Sequence, residues 1–143
     1  MTDIESHARL ATAVASLFEH MDDEAAEAWD SLTGLQIVLL REIAKLGHTD
    51  RTTLAAEART QRSATIPGLA SLLRKGLIAE SHGPDGTELL LTDAGREMLE
   101  DVRLARASWL RHVADDADPP VPVDDVARLS GALERFMGGR QAG

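Results

Sequence analysis

The sequence predicts a mainly α fold with one small β-hairpin, of the α+β class, and three observations predict it. Six segments carry apolar residues at spacings of three and four, the period of a helix face. Between residues 77 and 91 the pattern changes to two apolar runs of strand length around a stretch dense in turn formers. The connections are short, and 143 residues fit one domain of ordinary size.

The elements follow in order. Residues 5–21 carry Leu10, Val14, Leu17, Phe18 and Met21 on one helix face, and Asp22-Asp23-Glu24 is expected to end or bend that helix. Residues 33–46 carry Leu35, Val38, Leu39, Ile43 and Leu46, with Thr33 as N-cap and Gly47 as the stop. Two short helices come next. One spans about 51–58, with Leu54, Ala55 and Ala58 inside. The other spans about 64–75, with Ile66, Leu69, Leu72 and Leu73 inside and Gly76 as its stop. Arg59-Thr60-Gln61-Arg62 leaves room only for a tight turn, so the pair forms a helix-turn-helix. Pro67 fits only if it lies in the first turn of its helix, with Ser63 or Thr65 as N-cap.

Strands are expected at 77–81 and 88–91, joined through His82-Gly83-Pro84-Asp85-Gly86-Thr87. A hairpin directly after a helix-turn-helix is a wing, here carrying Gly83, Asp85, Gly86 and Thr87. The reading is therefore a winged helix-turn-helix lobe over 33–91. A long helix follows from Thr92 to about Asp116, with Met98, Val102, Ala105, Trp109 and Val113 on one face and Leu99, Arg106 and Leu110 beside it. Asp118-Pro119-Pro120-Val121-Pro122 breaks the chain. A last helix at about 123–137 carries Val126, Leu129, Leu133 and Phe136, and residues 138–143 are expected to be disordered.

Composition narrows the function. The chain has no cysteine, which excludes disulfides and zinc-thiolate sites. Its five histidines, His7, His20, His48, His82 and His112, match no zinc spacing, so no metal and no cofactor are expected. Nucleophile elbows, glycine-rich phosphate loops and zinc-protease motifs are absent, which argues against an enzyme. The first twenty residues carry Asp3, Glu5, Arg9 and Glu19, unlike a signal peptide, and no apolar run reaches membrane-spanning length. A soluble cytoplasmic protein is the expectation.

The net charge of −9 at first argues against nucleic acid. The signs are segregated, however. Residues 1–40 carry −7, residues 41–76 carry +4 through seven Lys and Arg against three acids, and residues 77–143 carry −6. The basic block coincides with the helix-turn-helix, as expected of a nucleic-acid face on an acidic body.

The terminal helices carry stripes that a winged unit does not need. They either fold back on their own domain or pack between chains. Packing between chains is favoured, because a two-fold axis would also set two recognition helices about one DNA turn apart, roughly 34 Å. Segments 5–21 and 92–137 are then a helical dimerisation lobe, with Leu10, Val14, Leu17, Phe18, Val126, Leu129, Leu133 and Phe136 in the interface.

The order of elements resembles the MarR family of bacterial regulators over about 5–137, best in LTGLQIVLLREIAKLG (32–47), LLRKGLIAE (72–80) and LLLTDAGREMLEDV (89–102). The resemblance implies a winged-helix homodimer that binds a palindromic operator in double-stranded DNA, commonly as a repressor, often relieved by a small anionic or phenolic ligand. Two features depart from it. Family wings usually hold Asp-x-Arg, whereas this one reads Asp85-Gly86-Thr87, looks about two residues short, and has no Lys or Arg between Lys75 and Arg96. Pro67 and Gly68 stand where the recognition helix usually offers an Arg or another long polar residue. These departures keep open a winged-helix interaction module with weak or lost DNA binding.

Candidate DNA contacts follow from donor chemistry at the start of the second helix. Gln61 suits adenine, Arg62 suits guanine or phosphate, and Ser63 and Thr65 suit either role. Thr52 and Thr53 open the first helix of the pair toward phosphate, with Arg51 and Arg59 as further anchors. Trp29 and Trp109 are expected near the junction of the two lobes, chiefly as packing and otherwise as the lining of a ligand pocket.

Overall fold

The computed structural model describes residues 2–60 and 62–141, with the backbone alone at Arg62 and 139–141. The elements run α1 (Asp3–Glu24), a short 3-10 helix (Ala26–Trp29), α2 (Gly34–Leu46), β1 (His48–Thr49), α3 (Arg51–Glu57), α4 (Arg62–Arg74), β2 (Ile78–Gly83), β3 (Gly86–Leu91), α5 (Asp93–Asp116) and α6 (Val123–Gln141). The predicted mainly α fold with a hairpin wing is observed. The chain divides into two compact units, Met1–Arg106 and Ala107–Gly143, with the boundary inside α5. The expected grouping of 5–21 with 92–137 concerns two chains rather than one and is a matter of assembly.

Caps explain most of the helix ends. Thr33 closes a capping box with Gln36: its hydroxyl accepts from the Gln36 amide at 3.2 Å, and the Gln36 side chain accepts from the Thr33 amide at 2.9 Å. Thr2 and Glu5 make the same box on α1, which runs three residues past the expected end. Gly47 stops α2 at φ +83°. Gly76 stops α4 at φ +74°, with the Leu77 amide donating back to the Leu72 carbonyl and the Gly76 amide to Leu73. Asp50 caps α3, accepting from the Thr53 amide at 2.7 Å and the Thr53 hydroxyl at 3.1 Å.

The core joins Trp29 to Leu39, Leu40 and Ile43 of α2, Leu54 of α3, and Leu69 and Leu72 of α4. Leu77, Ile78, Leu89, Leu91 and Val102 complete it. In α2 the buried side is rotated from the expected stripe. Leu40 is fully buried, while Val38 and Leu46 lie at the surface.

In α4 the correction is larger. The helix starts at Arg62, so Ser63 and Thr65 lie inside it and neither is its N-cap. Pro67 is the sixth helical residue, not a first-turn residue. Having no amide hydrogen, it cannot donate to the Ser63 carbonyl. The buried arc is Thr65, Gly68, Leu69 and Leu72, spaced three, four and seven residues on. Ile66 points away from the core and is 54% exposed. Gly68 permits the close packing on this side: a β-carbon there would lie 2.8 Å from Leu39 Cδ1, so α4 sits with its glycine against α2.

The hairpin is longer and its turn tighter than expected. β2 and β3 pair antiparallel from Ile78↔Leu91 to Gly83↔Gly86, leaving Pro84-Asp85 as a two-residue turn. β1 adds a third strand through His48↔Leu90 and Thr49↔Leu89, in the order β1-β3-β2. Two residues are too few to show alternation in sequence. The wing returns to the body at one junction. The Thr92 amide donates to the Leu77 carbonyl at 3.1 Å, and its hydroxyl donates to the Gly76 carbonyl and accepts from the Gly95 amide. A β-carbon at Gly95 would stand 2.2 Å from that Leu77 carbonyl oxygen. α6 continues through 138–141, correcting the expectation of a disordered tail there; Ala142 and Gly143 lie outside the described residues. The two glycines, Gly138 and Gly139, weaken a helix by about 1 kcal/mol each without forbidding it.

Two measurements test this packing. Gly95→Ala meets backbone that cannot move aside and is expected to lower unfolding free energy by about 3 kcal/mol. Gly68→Ala meets the end of a leucine side chain and gains about 1 kcal/mol of helix propensity, so it should stay near neutral. Equal losses for the two in urea unfolding would contradict the junction. The hydrogen bonds from the Thr53 amide, then from its hydroxyl, hold the Asp50 carboxyl below its ordinary pKa. A depressed carboxylate stabilises above its unfolded pKa, and that contribution disappears as pH falls through the folded value. Asp50→Ala should therefore lower Tm at pH 7 and close to nothing at pH 2–3; a deficit independent of pH would exclude the charged cap.

Candidate nucleic-acid interface

The helix-turn-helix is built from two local devices. Arg59 takes the left-handed conformation at φ +54°, and the Thr60 amide reaches back to the Ala55 carbonyl at 3.1 Å, closing α3 and turning the chain into α4. Leu54 and Ala55 then bury the inner side of α3.

The expected contact residues separate on this frame. Ser63 is exposed in the first turn of α4 and Arg59 is exposed in the turn before it. Arg62 opens α4, but its side chain, like Gln61 as a whole, lies outside the described residues. Thr65 is 1% exposed and faces the core, so its side chain does not reach a base edge. The sequence reading placed Thr65 outside and Ile66 inside; the structure reverses both. The concern over Gly68 also dissolves: it is buried against Leu39, so no long side chain belongs there.

At the expected phosphate anchors the structure places acids. Arg51 is ion-paired with Glu80 of β2, both side chains about a third exposed. Thr52 and Thr53 are exposed at the start of α3, but both amides act on the Asp50 carboxylate, and the Thr53 hydroxyl does too. The place expected to receive a phosphate is occupied by a carboxylate of the chain itself. The signal was available: Asp three residues before Thr, at the start of a helical run, is a capping pattern.

The wing carries Gly83, Asp85 and Gly86 exposed at its tip and Thr87 half-buried, its hydroxyl 3.1 Å from His82 Nδ1. Glu80 and Glu88 flank the hairpin, and His48 Nδ1 lies 3.3 Å from Glu88. Exposed positive charge near the helix-turn-helix comes from Arg41 and Lys45 on α2, Arg59, and Arg74 at the end of α4. Lys75 donates to the Ser31 hydroxyl at 3.0 Å.

The tryptophans do not share a role. Trp29 is 5% exposed and is part of the core, while Trp109 is half-buried in the second unit. Among the described residues no cluster of three or more His, Asp or Glu could hold a metal ion, and no helix is long and apolar enough to cross a membrane.

No protein-family model matches the sequence, and no curated protein is significantly similar to it. Solved structures are. A candidate transcriptional regulator from Pseudomonas aeruginosa is similar at 28% identity over 97% of this chain and 96% of its own, with a TM-score of 0.75. A MarR family protein from Bacillus stearothermophilus superposes over 98% of this chain and 99% of its own, at 16% identity and a TM-score of 0.76. The oxidized form of MarR from E. coli covers 90% of this chain and 93% of its own, at 18% identity and a TM-score of 0.62. Six α-helices and a three-stranded sheet among the described residues, together with these superpositions, give this chain the winged-helix fold of the MarR-family transcriptional regulators.

Proposed function

We propose that this chain is a sequence-specific DNA-binding transcriptional regulator, acting as a homodimer and most simply as a repressor. The observation that carries the reading is the coincidence of two things. The fold is that of known regulators, and the one basic block of an acidic chain, +4 over residues 41–76, falls on the helix-turn-helix. Ser63 is exposed in the first turn of the recognition helix and Arg59 in the turn before it, and Gln61 and Arg62 remain the candidate base contacts by donor chemistry. A palindromic operator is the expected target, since a two-fold protein presents its recognition helices about one DNA turn apart. A small anionic or phenolic ligand that loosens the complex is the effector class in keeping with this fold.

The terminal helices support the dimer. α1 is 22 residues long and buries none of them. Val14, Leu17 and Phe18 are exposed at 43%, 42% and 46%, Leu129 and Phe136 of α6 at 50% and 60%, and Val126 at 40%. Leu10 and Leu133 are half-buried. Each such side chain contributes about 1.5–3 kcal/mol when fully buried. Soluble monomers rarely keep apolar patches of this extent. A second copy with the same stripes covers them by symmetry.

A protein-interaction module that has lost DNA binding is the second reading. It is favoured by the acids at the anchors: Asp50 on α3, Glu80 on Arg51, and a wing with neither Lys nor Arg.

Mobility shifts on the chain's own promoter region decide between the two. The first reading expects a complex that weakens steeply with salt, and absence of any complex at low salt favours the second. Glu80→Gln should release Arg51 and tighten DNA binding several-fold at low salt, steepening the salt slope by up to about 0.9. An unchanged slope would show that Arg51 is not a phosphate anchor. Light scattering at micromolar concentration should give about twice the 15.4 kDa chain mass. Leu17→Asp should reduce association and thermal stability together. A wild-type mass near that of one chain would overturn the dimer.

A further inference from the structure

The described side chains on the exposed side of α4 offer little hydrogen-bonding chemistry. Among the described side chains, Ser63, Ala64, Ile66, Pro67 and Arg74 are exposed, and Ala70 and Ser71 are half-buried. Ile66 stands five residues into the helix, about 6 Å along its axis from Arg62. That is within the N-terminal half that reaches base edges in helix-turn-helix proteins. Its placement runs against simple transfer energetics. The neighbouring Thr65, with a hydroxyl, is 1% exposed, while the larger and wholly apolar Ile66 is 54% exposed. Rotating α4 to hide Ile66 would bring Leu69 and Leu72, 1% and 0% exposed, out of the core, so the packing holds the isoleucine outward. Pro67 beside it has no amide hydrogen to offer, and Ala70, one turn on, extends the apolar surface. Exposed Arg59 before the helix and Arg74 at its end place positive charge on either side, complementary to flanking phosphates.

We infer that Ile66, with Ala70 and Pro67 beside it, reads thymine through its 5-methyl group in the major groove, and so determines sequence preference by apolar contact. Each base pair shows the major groove a distinct pattern, and the thymine methyl is the apolar feature in that pattern. A branched side chain held outward by its own helix packing meets that methyl without losing a hydrogen bond. The inference rests on the DNA-binding reading and names the chemistry by which that site would discriminate.

The test uses the full chain and a duplex selected by it from a randomised pool, synthesised once with thymine and once with deoxyuridine throughout. Deoxyuridine keeps every donor and acceptor of thymine and lacks only the methyl. The wild type should bind the deoxyuridine duplex about fifteenfold more weakly, since one buried methyl corresponds to roughly fourfold and each of two half-sites carries one. Ile66→Ala should weaken binding to the thymine duplex and bring the thymine-to-deoxyuridine ratio close to one, with Ile66→Val between. Because Ile66 is at the surface, both variants should melt like the wild type. Equal wild-type binding to the two duplexes overturns the inference and leaves the DNA-binding reading standing. A ratio that survives Ile66→Ala also overturns it, assigning the methyl dependence to another group. Failure to select any duplex overturns the DNA-binding reading, and this inference with it.

Discussion

Where α4 ends and α5 begins, backbone packs directly on backbone. The Leu77 carbonyl accepts from the Thr92 amide and lies where a β-carbon of Gly95 would otherwise be, while Thr92 bonds the Gly76 carbonyl through its hydroxyl. This contact ties the exit of the recognition helix, both ends of the wing and the first turn of α5 to one point. Leu77 and Ile78 enter the core there, and Leu89 and Leu91 return to it from the other strand. The angle of α4 and the placement of the hairpin are consequently set by a contact that tolerates no side chain. The glycine and threonine of the 89–102 motif have this physical meaning: one supplies the absent side chain, the other the crossing hydrogen bonds.

A second close approach sets what α4 presents. Leu69 and Leu72, 1% and 0% exposed, fix the rotation of the helix, Gly68 lets it lie close to Leu39, and the rotation decides that a threonine is inside and an isoleucine outside. Single apolar residues at protein surfaces are ordinary. Here the residue lies on the helix best placed to enter a groove, next to a proline and alanines. Steric packing between α2 and α4 thereby decides which side chains the outer face presents.

Electrostatics and helix capping pull in different directions around α3. The seven-residue helix needs a cap, and Asp50 provides it with hydrogen bonds from Thr53. The same carboxylate puts negative charge where an incoming phosphate would gain from the helix amides. Glu80 does likewise at Arg51. The net +4 of the segment is therefore not all available to a ligand. Arg41, Lys45, Arg59 and Arg74 are exposed, whereas Arg51 is committed to its partner.

The order and type of the main elements were legible because hydrophobic period and capping residues are local properties. Thr33, Gly47 and Gly76 act in the structure as the sequence implied, and the hairpin follows the helix-turn-helix as expected. The exposed stripe of α1 was legible for the same reason. The buried side of α4 was not. Ile66 and Thr65 are neighbours in sequence, and hydropathy alone ranks the isoleucine inside. Only the packing of α4 against α2, with Leu69 and Leu72 inside and Gly68 close to Leu39, orders them the other way. β1 was hidden because two residues show no alternation and pair only once β3 is beside them. The pairing of Arg51 with Glu80 spans 29 residues and exists only when β2 folds alongside α3. By itself the sequence determined the order and type of the main helices and of the hairpin, since those depend on neighbours along the chain. The tertiary structure decided which side of each element faces outward and which charges are already paired, since those depend on neighbours in space.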